Sequence, residues 1–262
     1  MIELGIITYQ PNGDGIRWVK SLGLNNAEFC LNGDEIYSLN AEDVINACKE
    51  TGVKVASVGR WGRFRINEDG SINEKEQKDE FLLIDFCRKI GCPVYVTGCN
   101  YIDGLSYYAN VTATINYFKS LMDYAGDDVK ICTYNCNWNA YTNKPHEWDI
   151  IHDHLPALGI KFDPSHTIIG GRNWQDEAVK YGSKFYHMHV KGTVDIGGGR
   201  FDDPPAGMDS INWGLLVAIM RKHGYNGVMS IEPHSETWQG ELGAKGIAFT
   251  IKMMKQLLFI ED

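Results

Sequence analysis

The sequence predicts an α/β fold, a single (β/α)8 TIM barrel over residues 1–262. Three observations carry this. Eight short apolar runs alternate with eight helix-like stretches, the repeat that builds a parallel sheet covered by helices. A length of 262 residues is ordinary for one such barrel. The turn after the first run reads PNGDG and lacks the GxGxxG spacing of the rival doubly wound fold.

The elements follow in order. A strand at 4–8 leads to a helix at 15–22, ended by Gly23. A strand at 27–31 leads to a helix at 41–51, with Asn40 as N-cap and Gly52 as stop. The third strand, 53–58, precedes a helix at 74–90 bounded by Asn73 and Gly91. Glutamates early in both of these helices complement their N-termini. Strands at 94–97, 129–134 and 160–162 pair with helices at 108–125, 146–155 and 174–181. The last two units are 185–190 with 211–223, ended by Gly224, and 228–231 with 241–257. Two loops after strands are long, 59–73 and 192–210. In a barrel such loops build the active site.

Composition narrows the partners. A net charge of −9 argues against a nucleic-acid footprint. No apolar run approaches the length of a membrane span. The N-terminus reads as a strand and turn and not as a signal peptide. Seven cysteines, an odd number with no CxxC pair, fit a cytoplasmic protein with reduced thiols. Self-association as a homo-oligomer is compatible with such a barrel, and nothing in the sequence sets its symmetry.

The strand ends hold the chemistry. FYHMHVKGT puts His187, His189 and Lys191 at alternate positions, so all three face one side of a strand. The sixth strand ends KFDPSH, with Asp163 and then His166. The eighth ends SIEPHSE, with Glu232, His234 and Glu236. Asp163, His189 and Glu232 thus lie at three successive strand ends, a donor set that suits one divalent ion: Mn²⁺, Mg²⁺, Co²⁺ or Zn²⁺. His187 lies deeper and reads as a core or supporting histidine. Lys191 pairs with a carboxylate or reaches a substrate oxygen.

Four segments in strand order, FDPSH (162–166), HMHVKG (187–192), PPAGMDSINW (204–213) and GVMSIEPH (227–234), resemble the xylose isomerase-like barrel superfamily, of the sugar phosphate isomerase/epimerase type. The resemblance implies a divalent metal held by a strand-five glutamate, Asp163, His189 and Glu232, with His166 touching substrate. It also implies two glutamates that exchange protons with the substrate from opposite faces. The chain departs from that pattern: strand five reads VKICTYNCNWNAY, and the expected glutamate falls at Tyr134. Tyr134 then stands as an acid or hydrogen-bond donor, or as a mark of lost activity. Glu28 matches a carboxylate found on the second strand of such epimerases, where it would orient a substrate hydroxyl; its alternative is a structural ion pair.

The loop GRWGRFRINEDG supplies Arg60, Arg63 and Trp61 as candidate substrate contacts, since guanidinium forks and aromatic faces suit sugar derivatives. The alternative is a basic turn balancing the acidic stretch that follows. Asn137 joins the candidate contacts, and Trp138, Trp174 and Trp238 also follow strands. The expected function is a metal-dependent isomerase or epimerase acting on a small sugar, polyol or sugar-like carbonyl compound through an enediolate. Glu232 is its base, with His166 and Tyr134 as further catalytic groups. A dehydratase or lyase on a similar substrate, and a non-catalytic sugar-binding barrel, are the alternatives.

Overall fold

The alternation of strands and helices closes, in the computed structural model, into a barrel of eight parallel strands. The structure describes residues 1–136, 139–197 and 199–261. The first half runs β1 (Glu3–Thr8), α1 (Gly13–Ser21), β2 (Asn26–Cys30), α2 (Ala41–Thr51), β3 (Lys54–Gly59), α3 (Glu74–Ile90), β4 (Val94–Thr97) and α4 (Tyr107–Ala125). The second half runs β5 (Lys130–Tyr134), α5 (Pro145–His154), β6 (Gly159–Phe162), α6 (Pro164–Ile169), α7 (Trp174–Tyr181) and β7 (Phe185–Val190). A hairpin, β8 (Val194–Asp195) and β9 (Arg200–Asp202), precedes α8 (Trp213–Lys222), β10 (Val228–Ile231) and α9 (Gly240–Leu258). Around the barrel β1 to β7 are neighbours in sequence, and β10 closes the ring between β7 and β1.

The caps form as their chemistry dictates. Asn40 and Asn73 accept backbone N–H groups at the starts of α2 and α3, and Gly52 and Gly91 end those helices in the left-handed conformation. The long loops carry structure of their own. Ile66 bridges Ile72 within 59–73, and the β8–β9 hairpin stands within 192–210. Asp163 and Pro164 start α6 as N-cap and first helical residue, a short helix the periodicity does not reveal.

Register decides what enters the barrel. Glu28 pairs with Ser57, Tyr134 with Lys161, Lys161 with His187 and His189 with Ser230. A side-chain period of two sends these residues inward together. Their outward neighbours, among them Phe29, Val58, Phe162 and Met188, pack under the helices in the main core. Inside, the β4–β5 side is apolar, lined by Val94, Val96, Cys132 and Tyr134. The opposite side is ionised. No helix among the described residues is long and apolar enough to cross a membrane. All seven cysteines are unbridged.

Candidate active site

Glu28 anchors the ionised side from below. It is fully buried on β2, with Oε2 2.6 Å from His187 Nε2 and Oε1 2.9 Å from His189 Nε2. Burial alone would raise its carboxyl, and the two imidazoles outweigh that and hold it below the usual carboxylate range. His187 also meets Ser57 Oγ at 3.1 Å. A carboxylate only accepts, so His189 donates from Nε2 and turns Nδ1 upward.

Above it, His189 Nδ1 lies 2.8 Å from Glu232 Oε2 and 3.9 Å from Asp163 Oδ2. Asp163 divides its two oxygens. Oδ1 accepts from the backbone N–H and hydroxyl of Ser165, in the first turn of α6. Oδ2 is buried and meets no hydrogen-bond donor among the described residues. The ligand atoms of Asp163, His189 and Glu232 lie within 4.8 Å of one another, as do those of Glu28, His187 and His189.

The upper group fits a divalent cation. Once Nε2 holds the proton shared with Glu28, a neutral His189 presents a lone pair to a carboxylate oxygen at 2.8 Å. Two acceptors at that distance need a positive charge between them, either a second proton on the ring or a metal. The orphaned Asp163 Oδ2 faces the same gap. Two oxygens and one nitrogen form a donor set for a small divalent ion with open positions. The lower group fits less well, because His187 and His189 both spend Nε2 on Glu28.

Two lysines complete the mouth. Lys191 Nζ lies 3.5 Å from Asp163 Oδ2 and 3.6 Å from Glu232 Oε2, and it donates to His166 Nε2 at 3.1 Å. Burial and the Lys191 charge push the His166 imidazole down to about 3, which keeps it neutral and able to accept. Lys161, on β6, lies 3.8 Å from Asp163 Oδ2 and 5.2 Å from the centre of the Trp61 ring.

These groups surround a cavity of about 210 Å³ lined by Trp61, Lys161, His166, His189, Lys191 and Glu232, with Cys136 and others on its wall. Glu28 and Asp163 lie behind that wall, with their side chains fully buried. Tyr134 enters the barrel but does not line the cavity. Its ring packs edge-on against Trp61 at 4.8 Å and lies over Gly98, where a Cβ would overlap it. Its hydroxyl accepts from the Gly62 N–H at 3.3 Å, and burial pushes its ionisation further up.

The sequence reading set Arg60 and Arg63 against substrate, and the structure commits both elsewhere. Arg60 is buried against the start of α3, 2.9 Å from Glu76, 3.1 Å from Asp79 and 3.4 Å from Glu80. Arg65 adds a second bond to Glu80 at 3.0 Å. The basic loop does balance the acidic stretch after it, in the interior and not in solvent. Arg63 donates to the Asn32 carbonyl and ties the loop after β3 to the loop after β2. Trp61 does line the cavity, held by its indole N–H 2.9 Å from Cys30 Sγ. Trp174 belongs to the main core under the helices. Asn137 and Trp138 lie outside the described residues.

Lys161 is a cavity-lining residue that the sequence alone did not single out. The alternation that exposed His187, His189 and Lys191 also holds in KFD, and it puts Lys161 on the face of Asp163. His234 and Arg200 also line the cavity, both bonded to Asp203 Oδ2 at 3.1 Å.

The sequence model of the xylose isomerase-like TIM barrel family matches residues 16–257. No curated protein matches the chain. Among solved structures, a xylose isomerase domain protein from Planctomyces limnophilus is 16% identical, with a TM-score of 0.75 over 97% of this chain and 96% of that one. The 3-keto-D-glucoside 4-epimerase of E. coli is 15% identical, with a TM-score of 0.74 over 98% and 100%. D-allulose 3-epimerase from Methylomonas sp. is 15% identical, with a TM-score of 0.76 over 98% of each chain. At such identities the likeness shows a shared fold.

Proposed function

The chain belongs to the xylose isomerase-like TIM barrel family, and from that premise we propose that it is an isomerase or epimerase that moves a proton beside the carbonyl of a small sugar or sugar-like compound. The observation that carries this reading is the convergence of Asp163, His189 and Glu232 beside Lys191 at the wall of one cavity. Solved neighbours that are sugar epimerases support it.

Asp163 Oδ2, His189 Nδ1 and Glu232 Oε2 would hold one divalent ion, of the Mn²⁺, Mg²⁺, Co²⁺ or Zn²⁺ type. When bound, such an ion polarises a carbonyl and stabilises the negative charge that develops on its oxygen. Glu28 fixes the His189 ring and keeps its Nδ1 turned to the site. The Glu232 contacts described above run through Oε2, which leaves Oε1 to take the proton from carbon. Lys191, steadied by neutral His166, donates to a substrate oxygen. Trp61 walls the cavity and offers an aromatic face to the sugar's C–H groups. The unbridged thiols favour the cytoplasm as its compartment.

A dehydratase or lyase is the second reading. Its motivation is Tyr134, which replaces the second carboxylate and lies off the cavity wall. Removal of a β-hydroxyl needs one base and one acid, and not two opposed bases.

The test is solvent exchange. Mn²⁺-loaded protein is incubated in D₂O with a panel of ketoses, aldoses and keto-sugars, followed by NMR. The expected result is deuterium at the carbon beside the carbonyl, abolished in Glu232→Gln. Exchange that persists in Glu232→Gln, or no exchange with any member of the panel, contradicts the proposal.

A further inference from the structure

Lys161 is a buried cation whose one ion pair among the described residues, with Asp163, is long. Only about 2% of it is exposed, yet it lines the cavity. Among the described residues no hydrogen-bond acceptor reaches its Nζ; its contacts are Asp163 at 3.8 Å and the Trp61 ring. A buried ammonium that lines a cavity calls for an acceptor there. Asp163 is a poor counter-ion for it, because Oδ1 is spent on Ser165 and Oδ2 lies nearer to Lys191, at 3.5 Å.

The charge count has the same sign. At the mouth, Lys161 and Lys191 face two carboxylates, Asp163 and Glu232. Tyr134, the register partner of Lys161, adds no charge where the family resemblance calls for a third carboxylate. A divalent cation at Asp163, His189 and Glu232 therefore leaves the cavity with surplus positive charge. Glu28, beneath the cavity, reduces that surplus without cancelling it.

We propose that the substrate carries an anionic group, a carboxylate or a phosphate, which seats against Lys161 and Lys191. This deepens the proton-transfer reading of the same site and rests on it. The cavity of about 210 Å³ limits the substrate to one sugar-sized unit. Lys161 anchors the anionic end, and Lys191 lies between that end and the reacting carbon. Lys161 and Tyr134 then act as a matched pair: a tyrosine beside the lysine leaves the ammonium free for the ligand, where a glutamate would bind it internally.

The test is calorimetric titration of the Mn²⁺-loaded protein with D-glucose, D-glucuronate and D-glucose 6-phosphate, repeated with Lys161→Met. An anion affinity at least about tenfold above that of glucose, falling towards parity in Lys161→Met, supports the proposal. Preference for glucuronate assigns a carboxylate, and preference for the phosphate ester assigns a phosphate. Should Lys161→Met not fold, the wild type still decides. Raising salt from about 0.05 to about 0.5 M must weaken anion binding and leave glucose binding unchanged. Equal affinities, or no binding of either anion up to about 10 mM, overturn it. Deuterium exchange on neutral sugars without anion preference removes the substrate class and keeps the proton transfer. Anion binding without exchange on any sugar does the reverse.

Discussion

Glu28 Oε1 lies 2.9 Å from His189 Nε2, and that bond decides which nitrogen of His189 faces the mouth. The barrel builds its site from this contact upward. β2 supplies the acceptor, β7 the ring, and the residues just after β6 and β10 the carboxylates on either side of it.

Glu28→Gln tests this positioning role. The amide can still meet one imidazole but cannot accept from both. Mn²⁺ affinity is expected to fall by about 10- to 100-fold, as when a carboxylate behind a metal-bound histidine is removed. An unchanged affinity by calorimetry would show that the ring orientation does not depend on Glu28.

Tyr134→Phe removes the hydroxyl from the residue where the family resemblance places a glutamate. Because that hydroxyl accepts from the Gly62 N–H and the ring does not line the cavity, turnover is expected to stay within about threefold. Stability is expected to drop by about 1 kcal/mol for the lost hydrogen bond. A loss of turnover of about a hundredfold or more would return Tyr134 to the chemistry.

Arg60→Met leaves Glu76, Asp79 and Glu80 without their shared guanidinium. Breaking a buried ion pair from one side costs about 3 kcal/mol or more, so a large drop in denaturant midpoint is expected. Substrate affinity of the folded fraction should not change. A selective rise in KM at unchanged stability would put Arg60 back at the substrate.

The His152 imidazole on α5 supplies a pH signature outside the site. Burial, and then the Lys184 charge, push it down to about 4, below its ordinary value in the unfolded chain. Between about pH 6.5 and about 4 the unfolded chain therefore binds the proton that the folded chain refuses. His152 thus lowers stability as pH falls through that window, by up to about 1.4 kcal/mol per pH unit, and has no such effect above it. His152→Leu should give a flatter stability profile than wild type between pH 6.5 and 5 in urea titrations at stepped pH. Parallel profiles would assign the slope to other groups.

Much of the fold was legible because each strand and helix announces itself locally. Glycines ended α2 and α3 where the chain reversed, and observed strand bounds fall close to the apolar runs. The strand-end groups Asp163, His189 and Glu232 were legible for a related reason: a period of two and a strand end suffice to aim a side chain. Lys161 obeys the same rule, but a lone lysine in a strand reads as a solvated residue until the register with Tyr134 and His187 is known. The burial of Arg60 and Arg65 was not legible. Whether a basic loop beside an acidic helix pairs in solvent or in the core depends on how α3 docks, which no local pattern encodes. The bond from Glu28 to two histidines on β7 joins residues far apart in sequence and exists only once the barrel closes.

Asp163, His189 and Glu232 are expected to hold a metal without a strand-five carboxylate. Elemental analysis after Mn²⁺ loading and desalting tests it most directly, on wild type and Glu232→Ala side by side. About one metal per wild-type chain and little in the variant is the expected result. Metal absent from the wild type, or retained equally by Glu232→Ala, would contradict it.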